Sequence, residues 1–226
     1  MIKKLFAFML LVSTFSVFCE AQNSVAPDYE KIEQEINSQS SGFYYPKLWE
    51  RFSNGDSLSV DEARHLYYGN YFWKNENDFV VNSDTIKKVR AFLQQKNHSK
   101  QDCENIIKLV AEVIKADPFD LRSLMCQSYA YDILEMPRES QKVRNKIRCI
   151  VNALYSTGNG ATKESAIHVL NVGNEYDVLF INAFQMTSQS LIEHYDYLKI
   201  RENEYGLEGL WFDITYPLKE LNDMFK

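Results

Sequence analysis

His65 lies in the run Arg64-His65-Leu66-Tyr67-Tyr68-Gly69, with Asp56 and Asp61 shortly before it, the densest gathering of reactive and aromatic groups in the chain. A histidine polarised by a carboxylate can serve as a general base, and a tyrosine hydroxyl beside it can donate a proton. The pattern is therefore open to an envelope hydrolase in which His65 works with Asp56 or Asp61, although no nucleophile stands at a recognised spacing. A structural arrangement fits the same residues, with Leu66 and the tyrosines packed and with Arg64 and His65 bonded to the Asp56 turn. A third arrangement makes Tyr67, Tyr68, Tyr71, Phe72 and Trp73 an aromatic platform for a peptide or a sugar. The chain holds 14 Tyr, 14 Phe and 3 Trp, and so many rings so close together are not all expected to bury.

Two further groups contain histidine. His168, Glu175 and Asp177 carry donors that suit a divalent ion, but zinc-binding helices use two histidines one turn apart, and no H-x-x-x-H or H-E-x-x-H occurs. His168 is read as a packed or capped histidine, and neither a metal nor a cofactor is expected. His194 and Asp196 share a face if their strand is regular. A triad would need Ser188 or Ser190 beside them, and no Gly-x-Ser-x-Gly elbow is present.

Cys103, Cys126 and Cys149 follow the N-terminal apolar segment, so at most one intramolecular bridge can form. Taking Pro137 as the centre of a helical hairpin, Cys126 lies 11 residues before it and Cys149 lies 12 after it, which brings them level. About Pro118 the offsets of Cys103 and Cys126 are 15 and 8, a stagger of roughly 10 Å and too far for a disulfide. If a bridge exists, Cys126–Cys149 is the better pair, but three buried free thiols are the expected state.

The elements that position these groups follow from composition and periodicity. The 226 residues are 45% hydrophobic and 25% charged, ordinary globular values with room for a sizeable core. The formal charge of −6, with no Lys/Arg block, argues against nucleic acid. Lys3 and Lys4 precede an apolar run, Leu5 to Phe18, too short to span a bilayer and suited to a signal peptide. Cys19-Glu20-Ala21 places cleavage after Ala21, giving a signal peptide over 1–21 and an exported, periplasmic or secreted protein. The rival is a lipid anchor at Cys19, but Phe18 stands where that signal has a small residue. No transmembrane segment is expected.

Residues 22–27 are read as a frayed, disordered segment and residues 28–226 as one α+β domain. Tyr29, Ile32 and Ile36 mark a first helix, Pro46 opens a second, and Ser59 with Glu62 forms a capping box for a third that Gly69 stops. Four cleaner helices follow from Ser83, with breaks at Asp117-Pro118, Pro137 and Gly158. Thr162 is expected to cap another, and Val178–Phe184 has the length and apolarity of a strand. Leu210–Tyr216 is rich in β-formers, and Thr215 starts a last helix. The body is thus mostly helical, with a small antiparallel sheet near the C-terminus.

The segment from Cys103 to Ser140 resembles a degenerate tetratricopeptide helical hairpin through Asp117-Pro118, Ser128, Tyr131 and Leu134. Gln127, Glu135 and Ser140 depart from that pattern, and fewer than three repeats are visible. The stretch FYYPKLWERFSNGDSLSVDEARHLYYGNYF, the ADPFDL break and ATKESAIHVLNVGNEYDVL are similar to the family called domain of unknown function 4919, which resembles secreted proteins of gut Bacteroidetes. That resemblance implies export and a single domain, and it supplies no catalytic residue. Asp84-Thr85-Ile86 and Asp56-Ser57-Leu58 resemble the O-glycosylation signal of exported proteins of that group.

The combined expectation is a protein- or peptide-binding module. Its hairpins (100–156) and aromatic segment (43–73) form a groove, with Tyr67, Tyr68, Tyr71, Trp73, Arg122 and Tyr129 on the binding surface. The hydrolase reading of His65 is the alternative.

Overall fold

Asp28, Ser59, Asn82, Ser99 and Asp120 each accept a hydrogen bond from a main-chain N–H of the helix they open, satisfying donors that the first turn leaves free. Pro46 and Pro137 occupy first-turn positions, where the missing N–H costs nothing. The computed structural model describes residues 24–73 and 81–224. Among these, α1 (Tyr29–Asn37), α2 (Tyr45–Asn54), α3 (Val60–Gly69), α4 (Ser83–Gln94), α5 (Lys100–Ala116), α6 (Leu121–Ile133) and α7 (Pro137–Tyr155) run in succession. Then come β1 (Ile167–His168), α8 (Gly173–Ile181), β2 (Met186–Ile192), β3 (Tyr195–Ile200), β4 (Gly209–Asp213) and α9 (Thr215–Met224). The class is α+β, as expected. Gly55 ends α2 in the left-handed conformation at φ 76°, which glycine adopts without a Cβ clash.

Three expectations are corrected. Val178–Phe184 is not a strand, because residues 173–181 form α8; a short buried apolar run carries no period that separates strand from helix. No helix follows Thr162: Thr162 N–H bonds Ser165 Oγ at 3.1 Å and Ser165 N–H bonds Thr162 O at 3.2 Å, local bonds that compete with helix formation. The sheet is mixed. Its order is β1-β4-β3-β2, with β1 parallel to β4 and the other pairs antiparallel.

The main core joins α1–α3, α6, α7, α8 and the inner face of the sheet, with Leu66, Leu124, Ile150, Ile167, Leu198 and Phe212 buried. A second cluster holds α4 and α5 against α6 through Val89, Phe92, Ile106, Val110, Cys126 and Ala130. Helix α6 therefore serves both cores. Val25 and Ala26, expected to fray, are held by Arg64, whose Nη2 donates to Val25 O at 2.9 Å and Ala26 O at 3.4 Å. The signal segment 1–21 and Cys19 lie outside the described residues. Among those residues, no helix is long and apolar enough to cross a membrane.

Candidate functional site

Helix α3 places His65 against α1. Its Nδ1 lies 2.7 Å from the Asp61 carbonyl oxygen and its Nε2 lies 2.7 Å from Glu35 Oε2. Both ring nitrogens are thus turned to protein oxygens, and the side chain is only 11% exposed. The Phe43 ring stacks on it at 3.8 Å. Asp61 contributes only its main chain here, and Asp56 is exposed in the turn after α2. The general-base reading of His65 with Asp56 or Asp61 therefore gives way to a structural histidine paired with Glu35, a residue that sequence spacing did not single out.

The aromatic segment divides by depth. Tyr67 and Tyr68 are 1% and 0% exposed. Tyr67 Oη donates to Asn174 Oδ1 at 2.7 Å and accepts Leu170 N–H at 3.2 Å. Tyr68 Oη reaches His168 O at 3.0 Å and Ala153 O at 3.2 Å. Burial raises both hydroxyls far above their ordinary range. These rings are core and present no face to a partner, which corrects their place on the binding surface. Tyr71 and Trp73 are half-buried, Tyr71 against Tyr216 at 4.6 Å and Trp73 stacked on Tyr45 at 5.2 Å.

Arg122 is exposed on α6, but its Nε donates to Asp177 Oδ1 at 2.8 Å. Asp177 Oδ2 also accepts from Asn174 Nδ2 at 3.2 Å. Burial pushes the Asp177 carboxyl up to about 6, with Asp120 adding to the rise, while Arg122 pulls the other way. Tyr129 Oη meets His98 Nδ1 at 3.2 Å beside Phe92. Thr85, in the first glycosylation-like triplet, is buried and donates to Glu112 at 2.9 Å.

Cys103, Cys126 and Cys149 are free and buried. Cys126 belongs to the second core and Cys149 to the main one, so the bridge considered for them is not formed. Both thiols are pushed up to about 12, chiefly by burial.

His168, Glu175 and Asp177 are dispersed, since Glu175 faces Asp196, Asp177 faces Arg122 and His168 faces Asp213. Among the described residues, no group of three or more His, Cys, Asp or Glu could hold a metal ion. Nor does His194 act with Asp196: it precedes β3, and its Nε2 lies 3.7 Å from Asp213 Oδ2. His168 Nδ1 lies 3.7 Å from the same oxygen, while Asp213 Oδ1 accepts Thr215 N–H at 2.9 Å. This His-Asp-His group was missed because its carboxylate comes from β4, 45 residues after His168. Burial lowers the His168 pKa.

The sheet leaves one edge open. All seven residues of β2, Met-Thr-Ser-Gln-Ser-Leu-Ile, are exposed, with Met186 at 42%, Leu191 at 59% and Ile192 at 40%. Among the described residues the strand pairs only with β3, and it carries no charge and no proline, whereas natural edge strands are commonly blunted by one or the other.

The family model described as Domain of unknown function (DUF4919) matches residues 30–223. The chain belongs to this family. The DUF4919 match spans the helical body, the sheet and most of α9, so the core, the Asp213 group and the open edge all fall within it. No match was found among curated proteins or among solved structures.

Proposed function

We propose that this DUF4919 protein is exported and binds an extended segment of a partner protein along β2. The open, uncharged edge carries the reading. Its unpaired main-chain groups are complementary to another strand, and its exposed aliphatic residues offer side-chain contacts to that strand. The chain's own acidity selects the occupant. With formal charge −6, two copies repel when brought edge to edge, which favours a neutral or basic segment of a different protein. Export rests on Lys3, Lys4 and the apolar run to Phe18.

The test uses the full gene expressed in its own host, with a photo-cross-linking residue at Leu191. The expected result is one partner captured from the cell envelope at Leu191 and not at Gln101 on α5, with slowed exchange of the β2 amides in the complex. Leu191→Lys combined with Ile192→Lys abolishes capture without unfolding the protein. Equal capture from both positions, or a cross-link between two copies, overturns the assignment. The N-terminal residue of the recovered protein tests export: Gln22 marks cleavage after Ala21, and a lipidated Cys19 marks an anchor.

A further inference from the structure

Glu175, in the first turn of α8, is 0% exposed, and neither carboxyl oxygen has a hydrogen-bond donor. The charged group set against it is Asp196 of β3, which is 5% exposed. Asp196 Oδ2 accepts from Gln189 Nε2 on β2 at 2.6 Å, and Gln189 Oε1 accepts from Tyr176 Oη on α8 at 2.6 Å. One helix and two strands thus meet around a pair of acids. Two adjacent carboxylates withdrawn from water cannot both stay ionised. A hydrogen on Glu175 resolves the conflict, because it is the donor this pair lacks.

We propose that Glu175 and Asp196 share one proton and form a latch that fastens the β2–β3 hairpin to α8, closed while the proton is held and released when it is lost. The other groups at this seam leave the proton to that pair. On α8, Asp177 is turned to Arg122 of α6 and Tyr176 to Gln189. From β3 comes Asp196, and from β2 only the neutral Gln189. Burial, followed by the negative charge of Asp196, pushes the Glu175 carboxyl up to about 8. The latch therefore opens on the alkaline side of neutrality. It stands on the acid pair alone, whatever β2 binds.

Hydrogen exchange of the full chain, corrected for the intrinsic pH dependence of exchange and run in a chelator, tests it. Between about pH 6.5 and about pH 9, protection of the hairpin (186–200) should fall about tenfold, the factor expected one unit above the titration midpoint, while α7 is unchanged. Glu175→Gln keeps a donor without titrating, so its hairpin should stay protected at the higher pH. Asp196→Asn is a second variant expected to do the same, since its amide can donate to an ionised Glu175. In the wild-type protein, the carboxyl carbon resonance of Glu175 should titrate near pH 8. Wild-type protection that ignores pH, variants that open as the wild type does, or restoration of protection by added calcium or magnesium would each overturn the latch; the last would mean that the pair holds a cation.

Discussion

Tyr67 donates its hydroxyl hydrogen to Asn174 Oδ1 at 2.7 Å, and the same hydroxyl oxygen receives Leu170 N–H at 3.2 Å. One buried phenol thereby ties α3 to the segment leading into α8. Tyr67→Phe strands the amide oxygen and the N–H, and should cost about 1–3 kcal/mol in urea unfolding. Partner capture per folded molecule should not change. A loss of capture exceeding the loss of stability would return Tyr67 to the binding surface.

His65→Ala removes the bonds to Glu35 and to the Asp61 carbonyl together with the stack on Phe43. A loss of about 2 kcal/mol is expected, whereas Asp56→Ala at its exposed turn should stay within about 0.5 kcal/mol. Denaturant titration separates the two. Equal small effects would reopen a catalytic role for His65.

Thiol labelling tests the cysteines. Cys126 and Cys149 sit in apolar cores with their thiols pushed up to about 12, so the reactive thiolate is scarce at neutral pH. The native protein should label slowly at these residues with a thiol reagent, and Cys103, Cys126 and Cys149 should label at once in denaturant. A fast native phase at either residue would contradict the packing.

Stability should fall as pH rises through neutrality. Native Glu175 keeps its proton to about 8, while an ordinary glutamate releases it near 4.5. Between these values the folded state binds more protons, so folding weakens by up to about 1.4 kcal/mol per pH unit, and the slope ends above the upper value. Asp177 acts in the same direction from 3.8 to about 6. Glu175→Gln should flatten the slope between about pH 6 and about pH 8. Chemical unfolding across this range measures it.

Gly158 admits no side chain, because a Cβ there would lie 2.1 Å from the carbonyl oxygen of Ser165. Gly158→Ala should cost about 3 kcal/mol or more, as main chain cannot yield as a side chain can. Gly42, with nothing within 4 Å of the added atom, should tolerate alanine nearly unchanged. Comparing the two melting temperatures checks the claim.

The helices were legible where caps and breaks are local. Ser59 with Glu62, Asp117-Pro118 and Pro137 all stand at the ends their chemistry predicts. The burial of Tyr67 and Tyr68 was not legible, since the groups that satisfy their hydroxyls lie 85 or more residues away in sequence. Non-local pairing also hides the meeting of His168 with Asp213, 45 residues on, and of Glu175 with Asp196, 21 residues on. The end of α8, Val178–Ile181, reads as part of a strand because the preceding turn of the helix buries polar Glu175 and Asp177 as deeply as its valine and leucine, which erases amphipathic contrast. The open edge escaped notice because exposure of β2 depends on strand order, a property of the whole sheet.

The parallel pairing of β1 with β4 also sets an order of assembly. Ile167 and His168 find Phe212 and Asp213 only after α8 and the β2–β3 hairpin have been made. Non-local pairing of this kind is intrinsically slow, and synthesis releases the N-terminal helices first. The helical body can therefore collapse during synthesis while the sheet still lacks its centre. A chain cut short before Gly209 would leave β1 without its partner strand. The damage would reach back into the body through Tyr68, whose hydroxyl is bonded to the carbonyl of His168.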